Sequence, residues 1–186
     1  MSLAGALHRY AAHDDPAAAA ANFLALVLAW NGPFYPVYVI GLVGWDGIAS
    51  LWSVFASPLF FAVPWVMRHD TRTGRAMLPL IGTANTLWCT KLLGPGTEVG
   101  LFLLPCIALA ALLYRRSERR LMLVMLLLPL ALLMLPDAVF GVPIVTLPPD
   151  RIARLAALDI VSVALLTGLV TWQFAGVLGR LERGGV

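Results

Sequence analysis

The chain has 186 residues, of which 60% are hydrophobic and only 12% charged, with a mean hydropathy of +0.86. A water-soluble domain of this length cannot hide so much apolar surface in one core, which excludes an ordinary soluble fold. The formal net charge of +3 comes from bases beside apolar runs, where membrane topology and anionic headgroups account for them, so no nucleic-acid partner is expected.

Residues 1–19 read as an N-terminal interfacial segment. His8, Arg9, His13, Asp14 and Asp15 interrupt its apolar part, which argues against a signal peptide. LAGALHRY has the make-up of a short helix lying on a membrane surface. Asp15-Pro16 then supplies an N-cap and a first helical position, and AAAAA at 17–21 favours the helix that follows.

Crossing a bilayer takes about 20 apolar residues. The charges cut the chain into six such segments, at 20–44, 47–67, 76–93, 97–114, 121–136 and 155–178. The fifth is short, and either tilts little or borrows from the uncharged stretch after it. The expected fold class is all-α: a polytopic membrane protein whose six-transmembrane-helix bundle occupies 20–178, followed by a short cytoplasmic tail at 179–186. With six spans, one side receives Arg9, Arg68, Arg72, Arg75, Arg115, Arg116, Arg119, Arg120, Arg180 and Arg183. The other receives only Lys91, Arg151 and Arg154. Positive residues stay inside, so both termini of this multi-pass chain are expected in the cytoplasm.

Five segments contain proline: Pro33 and Pro36, Pro58 and Pro64, Pro79, Pro105, and Pro129. Each frees a carbonyl that must find another partner in lipid, which favours irregular, locally polar space inside the bundle. Prolines are also simply common in membrane helices. The loop DAVFGVPIVTLPPD at 137–150 is too apolar for free solution and is expected to fold over the outer face or dip into the interface. Its Pro148, Pro149 and Asp150 form the lead-in and cap of the last helix.

Asn31, mid-segment in AWNGPFYP beside Gly32 and Pro33, can satisfy carbonyls released by the prolines or point into a cavity. In segment 3, Gly82, Thr86, Cys89 and Thr90 recur at helical spacing beside Asn85. Such a stripe packs helices closely or lines a ligand site. Ala164, Gly168 and Thr171 repeat the theme in segment 6, most simply as another packing face. Cys89 and Cys106 read as small buried hydrophobes. Asp159 sits one or two turns into segment 6, either near headgroups or as a functional carboxylate. Lys91 and Glu98 flank Gly94-Pro95-Gly96 and are expected to approach each other at the outer mouth, with Thr97 as N-cap and Glu98 in a first helical turn. The candidate ligand-binding residues are therefore Asn31, Asn85, Thr86, Lys91, Glu98 and Asp159. They are expected around an outward-opening pocket between segments 3, 4 and 6 beneath the 137–150 loop.

Catalytic signals are missing. His8, His13 and His69 lie outside the segments or at their ends, where they cannot ligate a membrane haem. No glycine-rich phosphate loop, HExxH or GxSxG occurs. No enzyme activity, metal or cofactor is expected.

From Ser57 to Arg119 the chain runs through AVPWVMRHDTRTGR, TKLLGPGTEVG and ALLYRRSER: a helix ending near Pro64 and a basic turn, a Gly-Pro-Gly turn, Gly100, and a helix ending in arginines. This stretch, and more weakly 20–178, resembles the six-helix membrane domain preceding the catalytic part of many bacterial class III nucleotide cyclases. Similar domains precede some diguanylate cyclases and histidine kinases. The resemblance implies a receptor or regulatory module coupled to a cytoplasmic enzyme through its last helix. Only GRLERGGV follows segment 6, so a stand-alone relative or an excised membrane part is expected. The leading functional reading is a sensor or regulatory protein with an apolar or lipid-like ligand, acting through a second copy or another protein. The alternatives are a small transporter or channel-like protein and a non-catalytic subunit of a membrane complex.

Overall fold

The computed structural model describes residues 2–135 and 137–184, and every regular element in them is helical. The Ser2 hydroxyl accepts from the Gly5 amide to cap α1 (Leu3–Ala11). This helix rests on the end of a later one: the Tyr10 hydroxyl donates to the Phe61 carbonyl at 2.9 Å, and Arg68 donates to the carbonyls of Arg9 and Tyr10. Asp15 caps α2 (Pro16–Asn31) by accepting from the amides of Ala17 and Ala18, with Pro16 in the first turn, where its missing N–H is no loss. Gly32–Phe34 tightens into a 3₁₀ turn around Pro33, which cannot donate one turn back, and α3 (Tyr35–Val43) follows.

At Gly44 the chain reverses, with φ 74° and ψ −162°, a conformation open to glycine. It returns as a 3₁₀ stretch, Gly44–Phe55, continued by α4 (Ala56–His69). Twelve residues are many for 3₁₀ geometry. Small inward residues, Gly47, Ser50 and Ser53, let this stretch press on α3, where a Cβ at Gly47 would stand 2.7 Å from Val43. Pro16–His69 is one of two helical stretches long and apolar enough to cross a membrane, Pro149–Gly179 being the other. The reversal at Gly44 makes the first of them two antiparallel legs.

Asp70 caps α5 (Thr71–Leu93) through the amides of Arg72 and Thr73, and Gly94, at φ 91°, ends it. The next leg consists of 3₁₀ turns at Pro95–Thr97 and Val99–Phe102 followed by α6 (Leu103–Leu113). After a tight turn at Arg116–Glu118 comes α7 (Arg119–Leu133), a peripheral helix in which Pro129 is the one buried residue. The final helix, α8 (Pro149–Gly184), begins at Pro149 with Asp150 in its first turn. It carries through most of the expected tail at 179–186, and residues 185 and 186 lie outside the described residues.

Only Pro64, Pro79 and Pro129 fall inside helices. Pro33 sits in the 3₁₀ break, and Pro36, Pro58 and Pro105 in first turns, where a missing donor is harmless. The 3₁₀ backbone is concentrated in two legs, the second and the fourth, with one short turn in the first.

The legs shuttle between two ends. The near end gathers Asp15, Arg75, Arg115 and Glu118; the far end gathers Val43, Asp46, Lys91 and Arg151. The core is divided accordingly. Leu24, Phe60, Met67, Leu78, Leu113 and Val170 belong to the near half, and Val39, Val43, Leu92, Leu93, Leu147 and Leu155 to the far half. The 137–150 loop covers the far end, where the amides of Ile144 and Val145 donate to the carbonyls of Lys91 and Leu92.

Candidate functional site

A cavity of about 120 Å³ lies where the two halves of the core meet. Leu28, Phe60, Leu78 and Leu109 supply its near side, with Tyr35 and Val99 opposite. Two glycines shape it. Gly32 leaves room for the Ser57 hydroxyl, and Gly82 admits Cys106, whose sulfur would be 2.8 Å from a Cβ there. Cys89 and Cys106 are both free and buried, and both border the cavity as apolar wall.

Its polar lining comes from Asn31, Ser53, Ser57, Asn85 and Thr86. Thr86 is satisfied locally, its hydroxyl donating to the Gly82 carbonyl at 2.8 Å, as Thr90 donates to Thr86 at 2.9 Å. Ser53 and Ser57 differ: their hydroxyls are buried and have no protein partner. Buried polar atoms are rarely left so. They were missed in the sequence because each is an ordinary small residue; the signal was their spacing of four in a segment that also carries Ser50. Among the described residues Asn31 makes no side-chain hydrogen bond to a carbonyl freed by proline, as one expectation had it. Gly32–Phe34 winds into its own turn, and the amide is left at the cavity.

Asp159 is fully buried, away from headgroups, and its carboxylate accepts from the Tyr35 hydroxyl at 3.2 Å. Tyr35 itself borders the cavity, so Asp159 stands one residue behind the lining. Asn31, Asn85 and Thr86 are therefore brought together, Asp159 is attached through Tyr35, and Lys91 and Glu98 are elsewhere.

The expected Lys91–Glu98 approach gives way to a different arrangement. Lys91 Nζ donates to the carbonyls of Phe140 and Val142, each at 2.8 Å, fastening the loop. Glu98 adopts left-handed geometry, φ 63°, between two 3₁₀ turns, so it occupies no first turn of an α-helix. The Thr97 hydroxyl donates to the Gly94 carbonyl at 2.8 Å instead of capping a helix. Under the loop a separate cleft of about 220 Å³ is bordered by Thr90, Glu98, Leu132 and Phe140, and the pocket expected between segments 3, 4 and 6 beneath the loop is met only in part. Val145 and Leu147 pack against Leu92 and Leu93 there, and the cavity lies deeper, walled by the first four legs with Leu166 of α8 alone. Ala164, Gly168 and Thr171 do not form a packing face within the chain: all three are exposed, and nothing lies within 4 Å of a Cβ built on Gly168.

The near end carries a charge cluster that a segment-by-segment reading misses. Arg75, 3% exposed, pairs with Asp15 and with Glu118 at 3.0 Å, and Arg115 reaches Asp15 at 2.8 Å. Burial pushes the Asp15 carboxyl up, but the Ala17 and Ala18 amides, Arg115 and Arg75 outweigh it and hold the group below its ordinary 3.8. Asp70 is likewise held low by the Thr73 hydroxyl and amide, then by Arg72. Among the described residues no group of three or more His, Cys, Asp or Glu is placed to hold a metal ion.

Fold and cavity define an all-α protein with two stretches apolar and long enough to cross a membrane and a polar-lined cavity in its core. No family model, curated protein or solved structure matches it.

Proposed function

We propose that the chain is a multi-pass protein of a bacterial inner membrane, crossing it six times with both termini cytoplasmic, and that it works as a receptor-type regulatory module. It binds a small, largely apolar ligand bearing one or two hydrogen-bonding groups, and conveys occupancy to a second copy or another protein. The membrane reading is supported by the tryptophans: all six are exposed, from 42% to 75%, where soluble proteins keep them largely covered. It is supported too by the crowd of arginines at the near end.

The observation that carries the ligand reading is the pair of hydroxyls, Ser53 and Ser57, that have no partner among the described residues, in a cavity whose walls are mostly apolar. Apolar walls with a few fixed polar groups are the usual make-up of a small-molecule site. The volume of about 120 Å³ is close to that of engineered cavities, about 150 Å³, that take up benzene. Phenol is therefore a suitable probe. It should raise the unfolding temperature of the detergent-purified protein, and the cavity-filling Ala56→Leu should abolish that increment. An equal response of both proteins defeats the reading. A second reading, a small-solute carrier, is favoured by Asp159 and Tyr35 linking α8 to the cavity wall. Solute flux into proteoliposomes that Asp159→Asn abolishes would select it.

A further inference from the structure

We infer that the near end holds a site for the phosphate of an anionic phospholipid, in the cleft where the end of α6 meets α8. The inference rests on the membrane reading and is independent of the central cavity. The cleft measures about 300 Å³. Its apolar wall is Leu113, Phe174 and Val177, all buried, and it runs out to Leu112 and Leu178, which are exposed. Its polar end is formed by Arg75, Tyr114 and Arg115, beside Asp15.

Two of these residues have unused donors deep in the fold. Arg75 spends its terminal nitrogens on Asp15 and Glu118, while its Nε is buried with no partner. Tyr114 is 8% exposed, and its hydroxyl is likewise buried without a partner. Arg115 is bound to Asp15 through one nitrogen, and its side chain is 69% exposed, so further donors face outward. Both acids near the cleft, Asp15 and Glu118, already accept from arginine. What remains on the residues lining this end of the cleft is an excess of donors over acceptors, which calls for a ligand rich in acceptor oxygens and negatively charged. A soluble anion would make no use of an apolar channel leading to exposed leucines. A lipid phosphate uses both, with its acyl chain laid along Val177 and Leu178.

Tyr114→Phe is the cleanest test, since the hydroxyl has no partner among the described residues and its loss should leave the lipid-free unfolding temperature and membrane extraction unchanged. Phosphatidylglycerol added to the micelles should raise the unfolding temperature of the wild type more than phosphatidylcholine at equal mole fraction. In Tyr114→Phe, the phosphatidylglycerol needed for half that shift should rise about tenfold, the loss of one hydrogen bond to a charged group. Identical phosphatidylglycerol responses in the two proteins would overturn the site. So would equal effects of the two lipids, or a matching shift with inorganic phosphate alone, which would assign the cleft to a free ion. Normal membrane extraction alongside any of these results would leave the membrane reading standing.

Discussion

The Tyr35 hydroxyl donates to the Asp159 carboxylate across 124 positions of sequence, tying the start of α3 to the third turn of α8. Asp159 is fully buried, and no ion pair reaches it among the described residues. Tyr35→Phe should strand the acceptor and destabilise the protein by about 1–3 kcal/mol in detergent unfolding. Asp159→Asn, which keeps an acceptor for Tyr35, should lose less. A neutral Tyr35→Phe would show that this bond is not made.

The near-end cluster should be far more sensitive. Arg75→Met leaves two acids with their buried partner gone, for a loss of about 3–5 kcal/mol. The pH dependence has a definite sign. Because the folded Asp15 carboxyl titrates below its ordinary 3.8, its stabilisation is complete above that value and is lost as pH falls through the lower, folded one. Asp15→Asn should therefore flatten the acid limb of the stability profile while leaving its neutral part parallel to the wild type. An unchanged acid limb would remove Asp15 from the account.

Lys91→Met should act on the loop. Its two bonds to the Phe140 and Val142 carbonyls would vanish, and amide exchange across 140–145 should quicken about tenfold with global unfolding little altered. Unaltered exchange there would mean that the Ile144 and Val145 amide bonds suffice.

Glu98 is the single non-glycine residue with positive φ among the described residues. Glu98→Gly should relieve that strain and stabilise the fold by up to about 1 kcal/mol, after allowing for the freer unfolded chain. A loss of stability would reveal a contact made by the carboxylate.

Reporter fusions after Arg75, Arg120 and Arg183 should read as cytoplasmic, and fusions at Gly96 and Val145 as external. A cytoplasmic reading at Gly96 would break the six-span topology.

Much of the helical plan was legible because it depends on local features. Asp15-Pro16 starts α2 and Gly94 stops α5, and both can be read from a few adjacent residues. The site was legible only in part. Asn31, Asn85 and Thr86 stood out as polar residues in apolar runs, but Ser53 and Ser57 did not. Partners set by the tertiary fold were out of reach: Lys91 takes a carbonyl 49 positions on, and Arg75 an acid 60 positions back. The small residues of α5 and α8 look alike in sequence, yet Gly82 touches Cys106 while Gly168 touches nothing. Helical spacing identifies a stripe, and only the neighbours decide whether it is covered.

The reversal at Gly44 bears on how such a chain would enter a bilayer. A single glycine, at a backbone geometry that other residues resist, separates the legs ending at Val43 and beginning at Gly44–Phe55. The connection between them is a single tight turn whose one charged residue is Asp46. The two legs would have to partition together as one hairpin, and a substitution such as Gly44→Val would be felt during biogenesis, as failed translocation of the pair, before it could be felt as a loss of folded stability.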